Sequence, residues 1–137
     1  MEVRTAVVGD GSQIVRLLRQ LGYDRDIVSV EDDIRSGAAG DVDVAASDEH
    51  IAGLLTMKIH RQFHWGAIVA SIESLVVDER DRSGGIGAAL VEAAVESARA
   101  SQCKLVELHS NQHRTQARRF YERQGFEVTG NYFVRQL

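Results

Sequence analysis

The sequence contains no proline and a single cysteine among its 137 residues. Without proline, and without any segment rich in glycine and serine, no part of the chain looks like an interdomain linker. There is no internal repeat either, so we predict one domain over residues 1–137. Because Cys103 has no second cysteine to pair with, an internal disulfide is excluded and a reducing, cytoplasmic environment is expected.

Long hydrophobic runs are also absent. No apolar stretch approaches the roughly 18 residues that a membrane span needs, and the first ten residues lack the basic and then apolar layout of a signal peptide. The net charge of −4 argues against nonspecific nucleic-acid binding and slightly favours a cationic substrate. We therefore expect neither a nucleic acid nor a membrane as a partner.

What the chain does contain is a regular alternation of strand-like and helix-like patterns. Apolar residues at helical spacing predict helices at 14–21, 30–35, 86–98 and 117–121. Short β-branched or alternating segments predict strands at 3–8, 42–46, 51–59, 68–77, 105–108, 126–128 and 132–134. In the third of these strands, Ile51, Gly53, Leu55, Met57 and Ile59 are expected to share one face. The order β-α-α-β-β-β-α-β-α-β-β predicts an α/β (α+β) fold, a mixed sheet with helices on both faces.

The segment between the fourth predicted strand and the third helix points most clearly to chemistry. Gly84, Gly85 and Gly87 lie within four residues at the start of that helix, and Arg80 and Arg82 precede them. Glycine leaves the backbone bare, so free N–H groups and the positive end of the helix dipole can receive a phosphate there. The spacing fits neither a Walker A loop nor a dinucleotide-binding motif. The alternative is a tight turn that needs glycine only for its geometry.

Three segments, in order along the chain, resemble the GNAT N-acetyltransferase superfamily. The pattern R-x-x-G-x-G at 82–87 resembles that family's acetyl-CoA motif, and A-x-x-F-Y-E-x-x-G-F at 117–126 is similar to its later helix and strand. Residues 4–22 resemble its opening strand and helix. The resemblance covers nearly the whole chain. It implies the GNAT fold, with a mixed, mostly antiparallel central sheet of about seven strands and helices on both faces.

The resemblance also implies acetyl-CoA as the cosubstrate, and no metal. The pyrophosphate would lie on the backbone from Arg82 to Ala88, and the pantetheine arm would pair with the end of the preceding strand. The implied cofactor-binding residues are Leu75, Val76, Val77, Arg82, Ser83, Gly84, Gly85, Ile86, Gly87, Ala88 and Asn111. Two positions depart from the family pattern: Gly84 stands where a basic residue is common, and Arg114 where asparagine is common, with Asn111 further upstream.

Glu73 is the predicted general base. An amine must lose a proton before it attacks a thioester, since a primary amine is mostly protonated at neutral pH. Glu73 lies in an otherwise apolar strand, where the family often places a carboxylate, and burial there would strengthen a carboxylate as a base. The alternative is a strand glutamate that faces solvent or pairs with an arginine.

Tyr121 is the predicted general acid. It matches the tyrosine with which the family commonly protonates the departing thiolate of CoA, and a phenol with its ordinary pKa near 10 keeps its proton at neutral pH. The alternative is a core aromatic packed with Phe120 and Ala117. His60 and His64, with Phe63 and Trp65, either wall the acceptor pocket or form a solvated hairpin tip.

Together these observations predict an N-acetyltransferase that moves an acetyl group from acetyl-CoA to a primary amine by direct attack. The acceptor would be a small molecule or a peptide, and residues 132–137 offer a strand edge for pairing in a homodimer. The alternatives are a non-catalytic module that senses acyl-CoA or binds a partner, and a structural domain in which the glycine-rich segment is only a turn.

Overall fold

The computed structural model of the chain describes residues 1–110, 115–130 and 132–137. Asn111, one of the implied cofactor ligands, lies outside the described residues. The described residues form two compact units, Met1–Glu107 and Leu108–Leu137. The elements in chain order are β1 (Glu2–Thr5), α1 (Gly11–Leu21), α2 (Ile27–Ser36), β2 (Asp41–Ser47), β3 (His50–Gln62), β4 (Ala67–Val77), α3 (Ile86–Ala100), β5 (Val106–Leu108) and α4 (Thr115–Arg123). The prediction of one domain over the whole chain is not tested by this division.

The first unit is built on a sheet with the strand order β1-β2-β3-β4-β5. The first four strands are antiparallel neighbours. β5 lies beside β4, and the two residues before β5 bond to β4, from Lys104 N to Ile68 O (2.8 Å) and from Ala70 N to Leu105 O (3.0 Å). Residue numbers rise together along this pair, which is the parallel arrangement. The predicted mixed, mostly antiparallel sheet is therefore confirmed.

Helices cover both faces of the sheet in the first unit. On one face the apolar stripe of α1, with Ile14 and Leu17, is buried in a cluster that includes Val44 and Leu54. On the other face α3 packs closely against β3, because a Cβ on Gly53 would lie 2.9 Å from side-chain carbons of Ile86 and Leu90. Successive strand residues point to opposite faces, so Gly53 and Leu54 serve the two layers in turn.

Two β-bulges interrupt the strand pairing. Ala45 pairs with Gly53 but Ala46 with Ile51, which leaves Ala52 as an extra residue in β3. Such a bulge resets the alternation of side chains, and Ile51 is accordingly buried in the same cluster as Leu54. The prediction that Ile51 shares a face with Gly53 and Leu55 is therefore wrong.

The helix ends follow local chemistry. Gly22 and Gly37 adopt left-handed backbone conformations, with φ of 107° and 74°, and end α1 and α2 as predicted. α2 begins three residues before its predicted start, because the carboxylate of Asp26 accepts a hydrogen bond from Ser29 N at 2.8 Å and caps the first turn. No helix of the described residues is both long and apolar enough to cross a bilayer.

The second unit contains α4, which ends just before a left-handed Gly125. The predicted strands at 126–128 and 132–134 are wrong, since the described residues there belong to no strand. An alternating β-branched or aromatic segment becomes a strand only when a partner strand pairs with it, and a sequence pattern cannot supply that partner. The sheet has five strands among the described residues rather than about seven.

Candidate active site

The turn between β4 and α3 contains two residues in the left-handed region. Ser83 has φ 76° and Gly85 has φ 78°. Gly85 is the N-cap of α3, and glycine adopts this conformation without steric cost. Ser83 is a residue type that seldom does so. A Cβ on Gly84, between them, would lie 3.4 Å from the carbonyl oxygen of Asp81, so the turn is closely folded.

The N-terminus of α3 offers hydrogen-bond donors. Ala89 N donates to Gly85 O at 3.0 Å, and the amides of Ile86, Gly87 and Ala88 precede that bond at the positions where a helix has no acceptor of its own. Arg82, four residues before α3, is exposed, and its Nε donates to Val77 O at 3.3 Å. Bare amides, the positive end of a helix dipole and a guanidinium suit an anionic group such as a pyrophosphate.

The three strand residues of the implied cofactor site lie at the end of β4 nearest this turn. Val76 is 5% exposed and belongs to the cluster under α1. Its side chain is therefore part of the core, and its backbone lies opposite Leu54 of β3. Leu75 and Val77 are half-buried.

Glu73 is the extra residue of the second bulge. Thr56 pairs with Ser74 and Met57 with Ile72, so Glu73 has no partner in β3. Its side chain is 50% exposed, and its Oε1 lies 3.9 Å from Lys58 Nζ. The expected burial of Glu73 is therefore wrong, because the bulge takes this residue out of the apolar alternation of the strand. Its assignment as the base stays a prediction.

Tyr121 lies in α4, in the second unit. Its ring meets those of Phe120 and Phe126 edge to face, with centroids 5.2 and 6.0 Å apart. Burial raises the pKa of the Tyr121 phenol above its ordinary value, so the hydroxyl keeps its proton at neutral pH and can donate it. The packing fits a core aromatic and the protonation fits a general acid.

Asp78, the residue that follows β4, was missed by the sequence reasoning. Its side chain has no exposed surface. Its carboxylate accepts hydrogen bonds from Arg16 Nη1 (2.5 Å), Arg80 N (3.2 Å) and Gln20 Nε2 (3.3 Å). Burial alone would raise the pKa of Asp78, but the bonds from Arg16, Arg80 N and Gln20 outweigh it and hold that pKa well below its ordinary value. The available signal was an acid directly after a buried strand, with arginine and glutamine on the polar side of α1.

A histidine completes the surroundings of Asp78. Nε2 of His50 lies 2.9 Å from Asp81 Oδ2 and 3.9 Å from Asp78 Oδ2. Potential metal-ligand atoms of these three residues lie within 4.8 Å of one another. The guanidinium groups of Arg16 and Arg80 already face the Asp78 carboxylate, at 2.5 and 3.6 Å, and two cations disfavour a third. We therefore assign no metal to this cluster.

The remaining candidates lie between β3 and β4 and after the end of α3. Phe63 is fully exposed, and Nζ of Lys104 lies 4.7 Å from the centroid of the Trp65 ring. Phe63 and Trp65 therefore belong to a solvated tip of the β3–β4 hairpin rather than to the wall of an acceptor pocket. Burial raises the pKa of the Cys103 thiol, so the thiol is protonated at neutral pH and is a poor nucleophile.

Known acetyltransferases are similar to this chain in both sequence and structure. The family model for the acetyltransferase (GNAT) family matches residues 13–126. An aminoalkylphosphonate N-acetyltransferase of Salmonella typhimurium is 30% identical over 94 residues, which cover 69% of this chain and 61% of that relative. A crystal structure of an acetyltransferase from Trypanosoma brucei superposes with a TM-score of 0.84 at 27% identity, over 99% of both chains.

A second solved structure, described as a transcriptional regulator from Bacillus halodurans, is as similar. It superposes with a TM-score of 0.88 at 27% identity, again over 99% of both chains. The family match covers most of the chain, from α1 to the residue after Gly125, and contains both the glycine-rich turn and α4. The chain belongs to the GNAT acetyltransferase family.

Proposed function

We propose that this protein is an acetyl-CoA-dependent N-acetyltransferase, which moves an acetyl group to a primary amine by direct attack. The observation that carries the proposal is the glycine-capped N-terminus of α3 directly after β4, with the amides of Ile86, Gly87 and Ala88 free of helical acceptors. Family membership supports acetyl transfer as the use of that anion-binding geometry.

In this proposal the cofactor is held mainly by backbone. Residues 82–88 would hold the pyrophosphate, because Gly84, Gly85 and Gly87 have no side chains to obstruct it and Arg82 adds a positive charge. The backbone of Leu75, Val76 and Val77 would hold the pantetheine arm, in the manner of an added strand. Bound acetyl-CoA supplies an acetyl group already activated as a thioester.

Two side chains handle protons. Glu73 takes the proton of the amine, directly or through a water molecule, and its half-exposed position at the bulge gives both of them access. Tyr121 returns a proton to the CoA thiolate, and the raised pKa of its phenol means that it is available as a donor throughout the neutral range. No covalent enzyme intermediate is needed.

The acceptor is a small-molecule or peptide amine. A relative named for an aminoalkylphosphonate substrate makes small amines the first compounds to test, and the net charge of −4 favours cationic ones. A cytoplasmic location and a homodimer complete the proposal. The location is supported by the single, unpaired Cys103.

A non-catalytic acyl-CoA sensor is the second candidate. It is favoured by one observation, the likeness to a structure described as a transcriptional regulator. A sensor would bind acetyl-CoA at the same turn but would release no CoA when amines are added.

One experiment separates the candidates. The protein is incubated with acetyl-CoA and single amines from a panel of aminoalkylphosphonates, polyamines, amino sugars and peptides, and the free CoA thiol is measured. The enzyme predicts amine-dependent thiol release above that of the amine alone. Tight acetyl-CoA binding with no release for any amine would support the sensor, and no acetyl-CoA binding would overturn both candidates.

A further inference from the structure

A buried polar network lies at the base of the turn that leads into α3. Its centre is the Asp78 carboxylate, which is closed to solvent and is bonded by Arg16 and Gln20 of α1. A buried charge persists in a fold only when its partners are well placed. The network therefore fixes where the end of β4 lies relative to α1.

The same network holds the backbone that follows. Three successive amides donate to fixed acceptors: Glu79 N to Gln20 Oε1 (3.0 Å), Arg80 N to Asp78 Oδ1 (3.2 Å) and Asp81 N to Asp78 O (2.8 Å). A segment with every amide bonded has few alternative conformations. The backbone that leads into Arg82 and the glycines therefore has a fixed position.

One face of α1 makes these contacts. Gln13, Arg16 and Gln20 are spaced so that they lie on the same side of the helix. Gln13 bonds the β2–β3 turn instead, donating to Glu49 O at 2.6 Å and accepting from Ile51 N at 2.7 Å. Gln13 and Gln20 therefore make the same number of bonds to neighbouring backbone or side chains, and only Gln20 reaches the turn before α3.

We propose that Asp78 and Gln20 are positioning residues that hold the turn, before any cofactor binds, in the conformation that receives the pyrophosphate of acetyl-CoA. This inference rests on the proposed function. They act through the backbone of residues 79–81. A turn that is ordered before the cofactor arrives binds it without a further loss of conformational entropy. When only a fraction of the molecules has the ordered turn, the apparent Kd equals the Kd of the ordered form divided by that fraction. Saturating cofactor restores the ordered form, so kcat is preserved.

The test compares Gln20→Ala with the matched control Gln13→Ala. We expect the Kd and KM for acetyl-CoA to rise about 3- to 10-fold in Gln20→Ala, the equivalent of one or two lost hydrogen bonds. Gln13→Ala should keep the wild-type Kd, and both variants should keep the wild-type kcat. Asp78→Asn should act in the same direction more strongly, but it also removes the charged partner of Arg16, so the test rests on the Gln20 variant.

Hydrogen exchange of the free protein gives a second readout that needs no cofactor. The amides of residues 79–81 should exchange faster in Gln20→Ala and at the wild-type rate in Gln13→Ala. Wild-type exchange and wild-type Kd in Gln20→Ala, or equal changes in both variants, would overturn the inference. If the wild-type protein binds no acetyl-CoA, the proposed function fails and the role in cofactor binding with it, whereas the exchange rates still decide whether Gln20 holds the turn.

Discussion

At the residue scale, two residues of the turn before α3 adopt a left-handed backbone conformation, which suits glycine but not serine. Ser83 has φ 76° and Gly85 has φ 78°. A non-glycine residue there loses about 1–2 kcal/mol. Among the described residues the Ser83 hydroxyl has no hydrogen-bond partner that would offset this cost.

Ser83→Gly should therefore leave the stability unchanged or raise it by up to about 1 kcal/mol, because relief of strain is partly offset by the greater freedom of glycine in the unfolded chain. Thermal unfolding should show a Tm that is equal or up to about 4 °C higher. Gly85→Ala should have the opposite effect and lower the Tm, because the new Cβ would meet nothing within 4 Å and only the backbone is strained. A lower Tm for Ser83→Gly would contradict the conformation described for this turn.

Asp78 predicts a specific dependence of stability on pH. Its pKa in the folded protein is lower than in the unfolded chain, so its contribution is complete above the unfolded value of about 3.9 and is lost as the pH falls through the lower, folded value. Asp78→Asn should destabilise the protein by about 1–3 kcal/mol at pH 7, since the Arg16 guanidinium loses its charged partner. The difference in Tm between the two proteins should be constant from pH 7 to 5 and shrink below about pH 4. A difference that is absent at pH 7 would show that the network is not stabilising.

Glu73→Gln tests the base. Removing a general base costs on the order of 10²-fold or more in rate, so we expect kcat to fall by that amount while the Kd for acetyl-CoA is unchanged. Glu92→Gln, an exposed position on α3, is the control for loss of one negative charge. Equal kcat in the wild type and Glu73→Gln would remove Glu73 from the mechanism.

At the element scale, Gly53 sets how closely α3 approaches the sheet. Gly53→Ala would place a methyl group 2.9 Å from side-chain carbons of Ile86 and Leu90, so these side chains must move, in the part of α3 that presents its free amides. We expect a loss of about 1–3 kcal/mol and weaker acetyl-CoA binding, measured by thermal unfolding and calorimetry. Gly9→Ala, whose Cβ would meet nothing within 4 Å, should change neither. Unchanged acetyl-CoA affinity in a folded Gly53→Ala protein would show that the packing of α3 on Gly53 does not affect acetyl-CoA binding at the turn.

The elements also show which features of the fold could be predicted from sequence. α1, α3 and the hairpin of β2 and β3 have strong periodic patterns with glycine or polar residues at their ends, and the structure confirms them. The bulges at Ala52 and Glu73 could not be predicted, since an extra strand residue is defined only by its partner strand. Asp78 was missed for a related reason: its partners Arg16 and Gln20 lie some sixty positions away, at separations of 62 and 58 residues.

At the scale of the whole molecule, the order of the motifs was more informative than any one of them. The glycine-rich segment alone is compatible with a simple turn, but its place between an opening strand and helix and the later α4 identified the family, which the match over residues 13–126 confirms. The composition argued against a nucleic acid or a membrane as a partner but did not identify the amine acceptor.

The most direct test of the account is calorimetric titration of acetyl-CoA into the wild type, Gly87→Val and Ala100→Val. Gly87 lies in the first turn of α3, where a valine side chain projects toward the helix N-terminus, whereas Ala100 is exposed at the far end of the same helix. The account predicts one site per chain in the wild type and Ala100→Val, and a Kd at least about 30-fold weaker in Gly87→Val, equivalent to about 2 kcal/mol. Equal affinity in all three proteins, or no binding to the wild type, would contradict it.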